Sequence, residues 1–249
     1  MKPLKRAYGN QECSGTKTTI NQIQNIYETD LYWLDHAQFS PTDSNILMFD
    51  HQGGGGVITD SPWIIDITPG QRTPICLHTK SDHDFVAHEF WDPSGNSAWY
   101  DFEPLIDPSV YPGPRHFYIA KTNINTHVNT LYPIASEDWS LHYNINSDGS
   151  LIAGDGSYNT VNHGQTLGTK HIVLYRLMPN NTVQIEPLAD MSGNNYNTIE
   201  PNVQFTPDSK WVVYRSNQIT DSNPTGLAQV YMVAIDNVAP AAPTSLAVH

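Results

Sequence analysis

Four polar residues recur along the chain at equivalent points of a repeated pattern, and their side chains could move protons or bind metal ions. They are His36, His88, His142 and Asn202, and each has a large apolar residue three positions later and Pro or Ser five positions later. Histidine accepts a proton near neutral pH and is the commonest side-chain metal ligand, while an Asn carbonyl can supply an oxygen ligand. The pattern predicts that one repeated structural unit places these four side chains at equivalent positions.

The repeat that carries these residues consists of short β-rich segments. After each polar residue and its turn comes a second apolar segment (46–49, 98–100, 151–153 and 211–214) and then a third (63–67, 117–120, 171–175 and 229–235). Weaker fourth segments lie at 73–77 and 182–186. Units of about 50 to 60 residues with three or four short strands are typical of β-propeller blades. The sequence therefore predicts an all-β fold, a β-propeller with four recognisable four-stranded blades.

A propeller would bring the four polar residues to one place. The first strand of each blade lines the central channel, so side chains at one phase of that strand converge at one mouth. We expect His36, His88, His142 and Asn202 to form an arc around this mouth. The alternative is that these residues only hold channel water, as polar residues do in propellers that are not enzymes.

The composition limits the partners of the protein. The 249 residues include 12 Lys and Arg against 25 Asp and Glu, which gives a formal net charge of −13. Nucleic acid and anionic membrane surfaces are not expected partners, because binding to both depends on clustered Lys and Arg. An acidic substrate would have to be met by a bound metal or by a few local cations.

Other features bear on the organisation of the chain. Cys13 and Cys76 form neither a disulfide framework nor a zinc motif, and no apolar run reaches the length of a transmembrane helix. We predict that residues 1–25 are the remnant of a preceding blade, 26–236 the propeller blades, and 237–249 a Pro/Ala linker towards a further domain resembling fibronectin type III. An extracellular or periplasmic location is favoured, with a cytoplasmic one as the alternative.

Four stretches carry a more specific pattern. They are WLDHAQFSPTDSNILMF at 33–49, HEFW at 88–91, GDG at 154–156 and EPNVQFTPDSKWVVYRSN at 200–217. Together they resemble the oligogalacturonate lyase family, a group of seven-bladed β-propeller polysaccharide lyases. The resemblance runs from about residue 26 to 235 and covers four blades, so it implies the C-terminal portion of the family fold. It also implies cleavage of oligogalacturonides by β-elimination with a divalent metal and a histidine base.

The resemblance assigns roles to individual residues. β-Elimination beside a uronate carboxylate needs a base for the proton on the carbon that bears the carboxylate, and a cation to neutralise that carboxylate. By resemblance, His88 is the base and His142 is a metal ligand. Where the family has a Gln and two His as further ligands, this chain has Asn197, Glu200 and Asn202. Because Glu and Asn supply oxygen ligands, we expect His142 and these three residues to bind Mn²⁺, with Ca²⁺ as the alternative.

The substrate contacts depart further from the family. The Arg that family members carry shortly before Trp63 has no counterpart here. Arg115 or Arg215 could replace it, or both could be plain surface residues. His36 and His51 are further expected substrate contacts. The role of Glu200 has an alternative as well, an ion pair with Lys210 or Arg215.

Three functions remain open on these grounds. The first is a polysaccharide lyase that cleaves oligogalacturonides or related oligo-uronides, whose partner is an acidic oligosaccharide. The second is a non-catalytic propeller that binds a glycan or a protein through a degraded lyase site. The third is a lyase for another uronate polymer such as ulvan. In each case missing blades would leave exposed sheet edges. Either the four units close as a small propeller, or a homodimer covers the edges.

Overall fold

The chain folds into β-strands over most of its described length. The computed structural model describes residues 25–28, 33–52, 61–78, 84–104, 115–157, 160–162 and 165–235. The strands in these ranges are β1 (Trp33–Phe39), β2 (Ile46–Gln52), β3 (Trp63–Asp66), β4 (Ile75–Cys76), β5 (Phe85–Trp91), β6 (Ser97–Glu103), β7 (Phe117–Asn123), β8 (Asn129–Ile134), β9 (Tyr143–Ile145), β10 (Leu151–Gly154), β11 (Thr160–Asn162), β12 (Gln165–Leu167), β13 (His171–Met178), β14 (Thr182–Asp190), β15 (Gln204–Phe205), β16 (Trp211–Ser216) and β17 (Gln229–Ala234). One 3-10 turn, Ser136–Asp138, precedes β9. Within these ranges no helix is long and apolar enough to span a membrane.

The strands form successive antiparallel sheets, each made from consecutive strands. The orders are β1-β2-β3-β4, β5-β6-β7-β8, β9-β10-β13-β14 and β15-β16-β17, with a small β11-β12 hairpin inserted in the third. The first strands of the sheets contact one another in sequence, β1 with β5, β5 with β9 and β9 with β15. This is the blade arrangement of a propeller and confirms the all-β prediction. The fourth sheet has three strands in the described residues, where four were expected.

Apolar layers between neighbouring blades hold the sheets together. The layer between the first and second blades contains Met48, Ile64, Trp91 and Ala98. The layer between the second and third contains Trp99, Phe117, Ile152 and Tyr175. The layer between the third and fourth contains Ile172, Leu174, Phe205 and Val212. Burial of aromatic side chains of this size dominates core energetics. The layers therefore fix the inner strands relative to one another.

Polar contacts also join neighbouring inner strands. Gln38 on β1 donates from Nε2 to the Glu89 carbonyl at 2.7 Å, and Trp91 on β5 donates from Nε1 to the Gln38 carbonyl at 3.1 Å. Between the third and fourth blades, the Phe205 N–H donates to Asn144 Oδ1 at 3.0 Å. Such bonds set the register of one inner strand against the next, so residues at equivalent strand positions lie beside one another.

Three of the four polar residues of the arc have a left-handed backbone. The φ angles are 50° at His36, 54° at His88 and 51° at Asn202. His36 and His88 also lie at β-bulges, where the pairing register of β1 with β2 and of β5 with β6 shifts. Among residues other than Gly, Asn, Asp and His are several-fold enriched at positive φ, and bulges re-aim side chains next to functional sites. His and Asn therefore suit the left-handed backbone at these positions, independently of any catalytic or metal-binding role.

Candidate active site

Two histidines of the arc each face a buried carboxylate on the neighbouring strand. His88 Nδ1 lies 3.2 Å from Asp101 Oδ1, and His142 Nδ1 lies 2.9 Å from Asp155 Oδ2. Asp101 is 1% exposed and Asp155 is fully buried. A carboxylate beside Nδ1 keeps the proton on that nitrogen and leaves the lone pair on Nε2. Both rings are therefore oriented to use Nε2 as a proton acceptor or as a metal ligand.

The two carboxylates are held by further donors. Asp101 Oδ2 accepts a hydrogen bond from Trp139 Nε1 at 3.1 Å. Asp155 accepts the backbone N–H groups of His142 at 2.8 Å and of Asn202 at 3.1 Å. Because a carboxylate with several donors is locked in place, each can fix the orientation of the ring it contacts. Asp155 in addition links the third blade to the fourth.

The GDG stretch explains how Asp155 reaches this position. A Cβ on Gly154 would lie 2.3 Å from Ser140 Oγ, and a Cβ on Gly156 would lie 2.7 Å from the His171 carbonyl oxygen. Gly156 also has a φ of 74°, which favours glycine. The close approach of the surrounding chain thus requires glycine on both sides of the aspartate.

The histidines of the second and third blades lie side by side, next to a cluster from the fourth blade. The centroids of the His88 and His142 rings are 5.0 Å apart, with the rings edge to face. His142 Nε2 is 3.9 Å from Glu200 Oε2. The carbonyl oxygen of Glu200 accepts hydrogen bonds from Asn202 Nδ2 at 3.0 Å and from Arg215 Nε at 2.6 Å. Three blades therefore contribute to one site.

The first blade contributes a different arrangement. His36 Nδ1 lies 3.4 Å from Oε1 of the buried Glu89. The adjacent Glu89 carboxylate, with smaller contributions from Asp35 and Asp50, outweighs partial burial and raises the pKa of His36 to about 9. Burial lowers the pKa of His88, but the carboxylates of Asp101, Asp155 and Glu89 together raise it above the usual 6.5. Acidic side chains therefore surround both His36 and His88.

The donor set around His142 fits a divalent cation. Asp155 leaves the Nε2 lone pair of His142 available, and the Glu200 carboxylate lies on the same side of the ring. An imidazole nitrogen and a carboxylate oxygen are the ligand types that Mn²⁺ accepts. Asn202 Nδ2 donates to the Glu200 backbone carbonyl, which leaves Asn202 Oδ1 as a further oxygen donor.

The chain is similar in sequence to two oligogalacturonate lyases. No protein-family model matches the chain. An oligogalacturonide lyase of Pectobacterium atrosepticum is 24% identical over 200 residues, which cover 74% of this chain and 47% of that protein. An oligogalacturonate lyase of Dickeya dadantii is 22% identical over the same coverage. The chain is related to the oligogalacturonate lyase family.

Solved structures support the same relationship at the level of the fold. An oligogalacturonate lyase in complex with manganese superposes with a TM-score of 0.62 at 21% identity, over 82% of this chain and 49% of that one. An oligogalacturonate lyase from Vibrio parahaemolyticus gives the same TM-score and identity, over 82% of this chain and 50% of that one. The chain thus spans about half the length of the oligogalacturonate lyases it matches.

Not every residue expected from the lyase resemblance lies in this cluster. Asn197 is exposed, and its backbone N–H donates to Asn195 Oδ1 at 3.1 Å. No contact found among the described residues joins Asn197 to His142, so its place in the ligand set stays a prediction.

The expected substrate contacts fall into three environments. Arg215 is exposed beside Glu200. Arg115 forms a two-pronged ion pair with Glu103 and lies over the Phe117 ring. His51 is only 4% exposed. Its ring lies 4.5 Å from that of Trp63 and 5.8 Å from that of Tyr27, centroid to centroid. His51 therefore packs in an aromatic cluster, and its role as a substrate contact stays a prediction.

Sequence reasoning missed the carboxylates that orient the histidines. Asp50, Asp101 and Asp155 each follow the apolar segment of a second strand, 13 or 14 positions after the polar residue of their blade. Arg215 occupies the equivalent position in the fourth blade. An aspartate at the end of an apolar segment usually indicates a turn, so the sequence did not suggest that these aspartates contact the histidines. Its recurrence at fixed spacing in three blades was the available signal.

Proposed function

We propose that the chain is part of a polysaccharide lyase that cleaves oligogalacturonides or related oligo-uronides by metal-assisted β-elimination. The observation that carries this proposal is the adjacent pair of imidazoles, His88 and His142, each oriented by a buried aspartate. The relationship to oligogalacturonate lyases supports the reaction class. The acidic oligosaccharide is the expected partner, because the reaction requires a carboxylate beside the carbon that loses its proton.

His88 is the proposed base. Its Nε2 accepts the proton from the carbon that bears the uronate carboxylate, and the electron pair forms a double bond as the glycosidic oxygen departs with its own pair. The imidazolium that results is stabilised by the Asp101 carboxylate at Nδ1. Departure of the glycosidic oxygen needs a proton, which the protonated His88 or water can return.

The carboxylate of the substrate also needs a positive partner. A divalent cation, when bound, supplies this by neutralising the charge that delocalises into the carboxylate. We propose His142, Glu200 and Asn202 as the residues that hold it. Arg215 lies beside Glu200, so among the described residues it is the cation best placed to orient the substrate carboxylate.

A second candidate function is a glycan-binding propeller without activity. Asn202 stands where the family has a histidine, so an amide oxygen, a weaker ligand for Mn²⁺ than an imidazole, replaces one ligand. Under this alternative the oligosaccharide would bind at the same mouth without being cleaved. A lyase for another uronate polymer, such as ulvan, would share the mechanism proposed here and differ in substrate.

A substrate panel separates these functions. The chain is incubated with oligogalacturonides, ulvan oligomers or neutral oligosaccharides, with Mn²⁺ or with chelator, and the unsaturated product is followed by ultraviolet absorbance. We expect product from oligogalacturonides in Mn²⁺ and little in chelator. Binding of oligogalacturonides by calorimetry without any product would favour the non-catalytic function, and product from ulvan alone would reassign the substrate.

A further inference from the structure

Glu89 lies in the HEFW stretch but takes no part in the proposed base chemistry. Its side chain is fully shielded from solvent. Neither carboxylate oxygen makes a hydrogen bond to any described group. His36 Nδ1 lies 3.4 Å from Glu89 Oε1. Leaving a buried carboxylate without hydrogen bonds is costly unless a cation compensates it. The imidazolium of His36, or a metal ion that takes the place of its proton, can supply that positive charge.

Three side chains from two blades converge at this point. His36 comes from β1, Asp50 from β2 and Glu89 from β5 of the next blade. One ligand atom from each lies within 4.8 Å of the other two. Ligands of a common ion at about 2.0 to 2.5 Å from it lie at most about 4 to 5 Å apart. The three atoms can therefore share one ion with only small side-chain adjustments.

We propose that His36, Asp50 and Glu89 form a second divalent-cation site, at the junction of the first two blades and separate from the site at His142 and Glu200. One imidazole and two carboxylates are ligands suited to Mn²⁺ and related divalent ions. Two carboxylate charges balance the charge of the ion, which also satisfies the oxygens of Glu89. Whether or not the chain is a lyase, such an ion would join two inner strands across a blade boundary.

The local backbone supports the geometry of this site. His36 has a φ of 50° and lies at the bulge of β1, so its ring is aimed by a conformation that costs energy for most residues. Gln38 Nε2 donates to the backbone carbonyl of Glu89 at 2.7 Å and holds the two strands together beside the site. The three ligands are therefore placed by the backbone before any ion binds.

Counting bound ions tests the proposal. The chain is stripped with chelator, and Mn²⁺ binding is measured by equilibrium dialysis with metal analysis for the wild type, Glu89→Gln, His36→Asn, Glu200→Gln and Glu137→Gln. Asn tolerates the left-handed backbone of position 36, and Glu137 is an exposed carboxylate that serves as the charge-matched control. Thermal melts in chelator check that each variant folds.

We expect two ions in the wild type and in Glu137→Gln, and one ion in Glu89→Gln and in His36→Asn. Equal stoichiometry and affinity in the wild type, Glu89→Gln and His36→Asn would overturn the second site. The Glu200→Gln variant tests the other metal site, the one at His142 and Glu200. If Glu200→Gln has no effect while Glu89→Gln loses its ion, the second site stands and the metal assignment in the proposed function fails.

Discussion

At the scale of single residues, the site depends on pairs of histidine and aspartate on adjacent strands. His88 with Asp101 and His142 with Asp155 have the same geometry, with Nδ1 facing a buried carboxylate. The histidines could be found from the sequence because they repeat beside recognisable turns. The aspartates could not, because their partnership depends on strand register, which only the folded sheet reveals.

Asp101→Asn tests whether the aspartate positions the base. An Asn has one oxygen, and Trp139 Nε1 already donates to this side chain. The NH₂ group would then face His88 Nδ1 and force the ring proton onto Nε2, where the lone pair is needed. We expect kcat on oligogalacturonides to fall about 10- to 100-fold with a smaller change in KM. An unchanged kcat in steady-state kinetics would mean that Asp101 does not set the tautomer.

At the scale of the elements, turns at the ends of the inner strands stabilise each blade. Asp92, after β5, accepts hydrogen bonds from the Ser94 N–H at 3.0 Å and from Trp99 Nε1 at 3.1 Å, and it pairs with Lys121 Nζ at 2.7 Å. Burial acts to raise the pKa of Asp92, but Lys121, Ser94 and Trp99 together lower it to about 2. The turn, the second strand and the third strand of this blade are thus joined by one carboxylate.

Asp92→Asn should destabilise the protein in a pH-dependent way. Because the pKa of Asp92 is lower in the folded state, its stabilisation is present above about pH 4. It is lost as the pH falls towards 2. We expect the variant to lose about 1–3 kcal/mol of unfolding free energy at pH 7. Urea denaturation at pH 7 and pH 3 measures this. If the difference in unfolding free energy between variant and wild type is as large at pH 3 as at pH 7, this role of Asp92 is contradicted.

At the scale of the whole molecule, the repeat pattern predicted the architecture well because each blade repeats the same order of strands and turns. The four sheets follow the predicted order, and the first strands line up as expected. The pattern does not reveal the environment of His51, which is 4% exposed and packs among aromatic rings. Burial of one side chain depends on neighbouring elements that a repeat alignment does not contain.

The fourth blade leaves apolar side chains in contact with solvent. On β17, Val230 is 75% exposed and Met232 is 59% exposed. Exposed apolar edges promote pairing with another chain, so we expect the 249-residue chain to form a homodimer. Light scattering after size exclusion should give twice the monomer mass, and Val230→Lys with Met232→Lys should shift it towards the monomer. A monomeric wild type at high concentration would contradict this expectation.

In the proposed mechanism, His88 is the base that removes the proton from the uronate. His88→Asn removes the imidazole and keeps a residue that tolerates the φ of 54°, and His127→Asn makes the same change at an exposed histidine with a φ of 56°. The most direct measurement is the rate of unsaturated product formation from oligogalacturonides by the wild type and these two variants. We predict loss of at least about 100-fold in His88→Asn and wild-type rates in His127→Asn. Wild-type activity in a folded His88→Asn variant would contradict the central claim.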